Sequence, residues 1–207
     1  MKVNAMCTSD PVAALDYCDK VIYCGADKFD DKRIEVYGTF CKGISSDKIY
    51  IPTVCDEDGF ADACDYMMEH NATAIVRAAF DLEESGIIEA KYKLSPIMLL
   101  HKLGVLGRCQ IAGGVCLDND DLDLMAQENV PLILLPTASA GYGYGFAPVA
   151  AAVARGVKVG VGTFDGKYNI GANLDFEVEF MKLTANAEMR GEDILSDGDI
   201  TKIIEFA

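Results

Sequence analysis

Three side chains at the ends of apolar runs carry the chemistry that this sequence offers. Arg77 stands in AIVRAAF, Cys116 follows the Gly113-Gly114 pair in IAGGVCL, and Asp165 lies in VGVGTFDG. The planar guanidinium of Arg77 could clamp a carboxylate or phosphate. An ion pair with Asp81 or another nearby acid is the alternative. Cys116 could be a nucleophile if the glycine turn exposes it, but nothing near it in sequence supplies a base, so a structural thiol fits the same facts. Asp165 could serve as a general base if its pocket raised its pKa, and it equally fits a solvated or paired carboxylate.

A fourth feature is the run Gly141-Tyr142-Gly143-Tyr144-Gly145, in LLPTASAGYGYGFAPV. Between a strand and a helix it could present backbone N–H groups to an anion, with Thr137, Tyr142 and Tyr144 as ligand contacts alongside Arg77. A flexible loop or substrate lid is the plainer reading. The run is no dinucleotide fingerprint, because a long loop separates the strand from the helix and no acidic ribose reader follows at the right interval. The eight cysteines contain no CxxC pair and only His70 and His101 accompany them, so the usual zinc spacings cannot be assembled. His101 shares a helical stretch with Leu99, Leu100 and Leu103 and reads as a surface or packing residue. Asp118, Asp120, Asp121 and Asp123 read as a solvated helix start favoured by the dipole, since a calcium loop needs spaced oxygen ligands and a turn glycine.

The elements that must position these groups are strands alternating with helices. Apolar runs recur at Val21–Gly25, Ile34–Phe40, Ile49–Val54, Ala74–Ala79, Cys109–Val115, Val130–Leu135 and Val157–Val161. Several lack alternation, as parallel strands buried on both faces do. Helix signals lie between most of them. Asp56 precedes a stretch with Phe60, Cys64, Met67 and Met68 on one face. Ser95-Pro96 makes a cap and first turn that Gly104 stops. Asp118 caps the stretch through Met125, Pro148 opens an Ala-rich helix closed by Gly156, Phe176, Phe180 and Leu183 mark a further helical face, and Ser196 or Asp197 begins a last helix. Strand and helix alternating at this spacing read as repeated βαβ units in one domain over residues 1–207.

A chain of 207 residues with 51% hydrophobic content can bury a sizeable core. It is nevertheless short for an eight-unit α/β barrel, which typically takes about 250 residues. The net charge of −15 argues against nucleic acid and anionic membranes, whose partners carry Lys and Arg. No apolar run approaches the roughly 20 residues of a membrane span. Cysteines inside apolar patterns and an opening MKVNAMCTSD that is no apolar leader point to a reduced, cytoplasmic setting in which most thiols are buried small hydrophobes.

From about Ile49 onward the order of motifs resembles the amidohydrolase superfamily, in particular its cytosine deaminase and chlorohydrolase-like branch. IYIPTV is similar to that family's fourth barrel strand, with Thr53 where Pro-His usually ends it. TAIVRAAFDLEE resembles the fifth strand, and the metal-binding His of that strand falls at or beside Arg77. LSPIMLLHKLGVLG resembles the segment before strand six. IAGGVCL then places Gly113 at the sixth-strand His and Cys116 at a second one. LLPTASAGYGYGFAPV resembles the seventh-strand segment, and VGVGTFDG the eighth, whose metal-binding, proton-transferring Asp falls at Asp165 or Phe164. NLDFEVEFMKL resembles the helix after it. The resemblance is strongest over residues 49–205. It carries no first strand with a His-x-His pair, and Asp165 alone survives among the expected metal ligands.

The resemblance implies an α/β fold, an amidohydrolase-like partial or compact TIM (β/α) barrel of parallel strands with its catalytic first strand missing. The function expected from the residues is that of a catalytically degenerate relative, holding no metal or cofactor and binding a small ligand or a protein partner at the strand C-terminal face. An active hydrolase or deaminase of non-peptide C–N bonds with ligands supplied by another chain is the second reading. A structural subunit that completes a barrel by association is the third. Arg77, Cys116 and Asp165 are expected to share one concavity, and open sheet edges predict a homo-oligomer.

Overall fold

The computed structural model describes residues 1–206, in which all seven expected apolar runs contain strands and an eighth strand precedes them. The strands are β1 (Val3–Cys7), β2 (Lys20–Cys24), β3 (Ile34–Thr39), β4 (Lys48–Ile51), β5 (Thr73–Ala78), β6 (Cys109–Gly113), β7 (Leu132–Leu134) and β8 (Val159–Val161). They pair in parallel and in sequence order. The ring closes past the end of β8. Phe164 donates its N–H to the carbonyl of Met6 at 3.0 Å and accepts from the N–H of Thr8 at 2.8 Å, a parallel bridge between Cys7 and Phe164.

Closure depends on two local features. Asn4 is fully buried, and its amide donates to Thr163 Oγ1 at 2.9 Å while its Oδ1 accepts the Thr163 N–H at 3.2 Å. At Gly162 a Cβ would lie 2.6 Å from the Met6 carbonyl oxygen, so only glycine lets the end of β8 come this near β1. The compact alternative therefore holds, and the first strand position is filled. What this chain lacks there is the His-x-His pair. β1 escaped the apolar pattern because VNAMC places an Asn between short apolar residues. Among the described residues β1 and β8 meet through this bridge, so the expectation of a homo-oligomer no longer rests on open sheet edges.

The size argument resolves in the connections. Residues 25–33 between β2 and β3 and 40–47 between β3 and β4 hold no helix, and α1 (Pro11–Ala14) is a single turn. Longer crossovers follow. They carry α2 (Glu57–His70), α3 (Leu82–Tyr92), α4 (Pro96–Lys102), α5 (Asn119–Gln127), α6 (Pro136–Gly141), α7 (Val149–Ala154), α8 (Leu174–Met189) and α9 (Asp197–Glu205). Their caps are the ones that the residue types suggest: Asp56, Ser95 and Asp118 accept from the N–H groups of Gly59, Met98 and Asp121, and Ser196 forms a reciprocal capping box with Asp199.

Two cores result. One lies between strands and helices and includes Val76, Ile97, Leu122, Met125 and Met181. The other fills the barrel, from Tyr37, Tyr50, Ile75 and Ile133 up to Phe80, with Phe206 at the other end. The barrel is thus packed rather than hollow. On α8 the expected face is the outer one. Phe176 and Leu183 are exposed, while Leu174, Glu177, Val178, Met181 and Ala185 are buried. All eight cysteines are free, and five are buried.

Candidate functional site at the strand C-terminal ends

On β5, Ala74, Val76 and Ala78 face the helices and Ile75 faces the barrel interior, so the alternation of a strand turns Arg77 inward as well. Its Nε donates to the Pro52 carbonyl at 2.6 Å, and its guanidinium carbon lies 5.2 Å from the centroid of the Phe80 ring. Phe80 is 2% exposed and sits over β6, where Gly113 has φ +103°. A Cβ at Gly113 would come within 2.5 Å of the Phe80 ring. The aromatic ring therefore occupies the space that a side chain at the sixth-strand position would need.

From Phe80 an aromatic series crosses the mouth of the barrel. Phe80 meets Tyr144 edge-on at 5.1 Å and Phe164 at 5.9 Å, and Tyr144 stacks on Tyr142 at 5.6 Å. Phe164, at φ +51°, holds the inward position at the end of the eighth strand. Asp165 is turned to Tyr142, whose hydroxyl donates to Oδ2, and Oδ1 accepts the Lys167 N–H at 3.0 Å. That bond to a carboxylate, with burial behind it, pushes the Tyr142 phenol up to about 12.

The backbone of the Gly-Tyr loop is committed. The N–H groups of Tyr142, Gly143 and Tyr144 donate to Ala138, Ala140 and Ser139 at the end of α6. These three N–H groups are therefore not free to cradle an anion. Thr137 is 5% exposed. It donates its hydroxyl to Glu177 Oε1 at 2.5 Å and its N–H to Oε2 at 3.0 Å, while Asn169 donates to Oε1 at 2.9 Å. Burial raises the pKa of Glu177 against these bonds. This network ties α6 to α8 beneath the mouth.

Cys116 does not join Arg77 and Asp165. It packs against the outer core, its N–H bonded to the Ala79 carbonyl. Burial raises its thiol pKa, Ser85 works in the opposite sense, and the negative charges of Asp81 and Glu84 add to the rise. A thiol so placed is a weak nucleophile at neutral pH. The expectation of one shared concavity fails for Cys116 and holds for the other two only through the aromatic series. His101 pairs with Glu128 across α4 and α5, and His70 stacks on Tyr66; both lie away from the mouth.

Glu84 is a site residue that pattern reading missed. It is 5% exposed, accepts from Thr53 Oγ1 at 3.2 Å and from the Phe80 N–H at 3.3 Å, and its pKa is raised by burial against the charge of Arg77. The available signal was the spacing Asp81-x-x-Glu84, a helix start in which the third residue can turn back to the preceding backbone. Asp81 is the cap, accepting the Glu84 N–H at 2.8 Å.

The metal that the family resemblance implies does not fit these residues. Among the described residues no three His, Cys, Asp or Glu side chains converge. At the positions that the resemblance assigns to the fifth- and sixth-strand ligands stand Arg77 and Gly113 with the Phe80 ring over it, and a fixed cation repels a second one.

Comparison with known proteins agrees with the ancestry. No family model matches the chain. It is 33% identical over 115 residues to a 5-methylthioadenosine/S-adenosylhomocysteine deaminase of Halothermothrix orenii, covering 55% of this chain and 27% of that one. It is 26% identical over 184 residues to the protein of the same name from Caldicellulosiruptor saccharolyticus, covering 86% and 43%. Among solved structures, an adenosine deaminase from Xanthomonas campestris with bound zinc superposes with a TM-score of 0.69 at 17% identity, over 86% of this chain and 40% of that one. The chain spans less than half the length of these relatives. The resemblance to the amidohydrolase superfamily therefore holds in both sequence and fold.

Proposed function

We propose that this chain is a metal-independent relative of the amidohydrolases that binds a small ligand at the strand C-terminal face and does not hydrolyse C–N bonds by activated hydroxide. One observation carries the reading: Phe80 fills the space over Gly113 and the Arg77 guanidinium lies on its ring. A hydrolytic metal site needs at least about three protein ligands and an open position for water, and here that volume is filled. Arg77, Tyr142, Tyr144 and Asp165 then form a binding surface, with Thr137 and Glu177 supporting it from beneath.

A hydrolase of C–N bonds is the second reading, favoured by the deaminase names of the relatives. Elemental analysis of protein purified without chelators separates the two, together with thermal melts in the presence and absence of added zinc. No stoichiometric metal and an unshifted melt are expected, since a ligand stabilises only a fold that binds it. One tightly held zinc or iron per chain, with deamination of an adenosine-type substrate, overturns the proposal.

A further inference from the structure

The loop after β8 places a cation against aromatic faces. Lys167 Nζ lies 4.6 Å from the centroid of the Tyr142 ring and 5.0 Å from that of Tyr168. The two rings stand nearly perpendicular, at 88° and 5.2 Å, and form a corner with two π walls. The corner is built rather than incidental. Tyr168 packs so closely on the backbone that a Cβ at Gly141 would lie 2.3 Å from its Cγ, so its placement requires glycine there. Tyr142 is fixed at one end by its bond to Asp165 and from the side by the stacked Tyr144.

The electrostatics of the corner favour positive charge. Ring faces carry the negative part of the aromatic quadrupole, and a phenol that donates to a carboxylate is more electron-rich than a free one. Asp165 adds a formal negative charge at the rim, in a chain of net charge −15. Lys167 is itself exposed, as is Tyr168, at 39%. A flexible lysine on the surface loses little by leaving for solvent, whereas a compact cation with hydrophobic substituents gains both π contact and desolvation.

We propose that the Tyr142–Tyr168 corner, with Asp165 at its rim, is a binding site for a small alkylammonium ligand, and that Lys167 is its resident occupant, displaced when the ligand enters. The proposal rests on the reading of the strand C-terminal face as a binding surface and names the ligand chemistry for it. An internal competitor lowers apparent affinity by the fraction of molecules in which the site is free.

Choline and its neutral isostere 3,3-dimethyl-1-butanol are the probes, titrated into the full chain by calorimetry and by tyrosine fluorescence, which no tryptophan obscures. Choline is expected to bind and the isostere not to bind. Lys167→Ala tightens choline roughly three- to tenfold by removing the competitor. Tyr168→Phe keeps the π face and binds as the parent does, while Tyr168→Leu loses binding; melts of both variants show that each is folded. Equal binding of the isostere, no saturable choline binding to the Lys167→Ala protein, or retention of binding in a folded Tyr168→Leu protein overturns the proposal. Metal analysis remains a separate arm. A metal-free protein that ignores choline refutes this ligand class alone, whereas a stoichiometric metal refutes the functional reading and leaves the corner to be judged by its own titration.

Discussion

At Gly113 two constraints meet on one residue: a backbone at φ +103° and a ring 2.5 Å from where a Cβ would stand. Gly113→Ala is expected to cost about 2–4 kcal/mol, from the left-handed backbone and from overpacking together. Phe80→Ala empties part of the barrel core and costs about 3–5 kcal/mol. The double variant should lose less than the two combined, because removing the ring removes the clash; urea unfolding of the three proteins measures the coupling, and strict additivity would show that the two groups do not compete for one space. The same pair explains what was legible in the residues. The place of Arg77 at the end of a strand could be read from sequence, since AIVRAAF is an apolar run with a single charge in it. That Phe80, three residues beyond Arg77, folds back over β6 could not be read, because Ala79 reverses the chain with φ +50°, a backbone state its residue type does not advertise. Cys116 misled for a related reason. Its place after two glycines suggested exposure, but the positive φ at both Gly113 and Gly114 turns the chain so that the thiol meets α3.

At the scale of elements, α6 and α8 are joined through one carboxylate. Glu177 accepts from the hydroxyl and N–H of Thr137 and from Asn169, and Asn169 in turn donates to the Asn173 carbonyl that precedes α8. Thr137→Val removes the hydroxyl donor and keeps the shape. It is expected to destabilise by about 1–3 kcal/mol, the cost of leaving a buried acceptor unsatisfied, and to weaken choline binding far less than Tyr168→Leu does. Chemical denaturation and the choline titration report the two effects separately, and lost binding in a stable Thr137→Val protein would return Thr137 to the ligand surface. Thr137 looked like a ligand contact because it stands at the end of an apolar strand. Its partner lies 40 residues away, on a helix whose Phe176 and Leu183 drew attention to the opposite face. Local patterns did identify the elements themselves. The caps at Asp56, Ser95, Asp118 and Ser196 are local hydrogen bonds between residues three apart, so a short window contains all the information they need. The closing strand required a pair 159 residues apart, Asn4 with Thr163, and no window contains it.

Over the whole molecule, burial and net charge act in the same direction with pH. Glu84, Asp121 and Glu177 each have a raised pKa in the folded chain, in each case chiefly because burial disfavours the carboxylate. A carboxyl that holds its proton more tightly when folded gives the native state more bound protons than the unfolded one. Stability then rises as pH falls from neutral toward the ordinary carboxylate range near 4, and is lost again as pH climbs through the raised folded values. Protonation also relieves the self-repulsion of a chain at −15. Glu35 runs the other way. Burial opposes its ionisation, but the bonds from Lys20 and Lys48 outweigh that and lower its pKa, so its contribution is present above the ordinary carboxylate range and disappears as pH drops through the lowered value. Stability is therefore expected to be greater at mildly acidic pH than at pH 8, and to fall only in more strongly acidic solution. Urea midpoints across that interval test the sign. Glu177→Gln and Glu84→Gln, which cannot ionise, should each flatten the slope between neutral and mildly acidic pH, even where they change the absolute stability. A midpoint that is constant or declines as pH is lowered from neutral toward the ordinary carboxylate range near 4, with the same slope in both variants, would mean that these carboxyls are as well solvated in the folded chain as in the unfolded one.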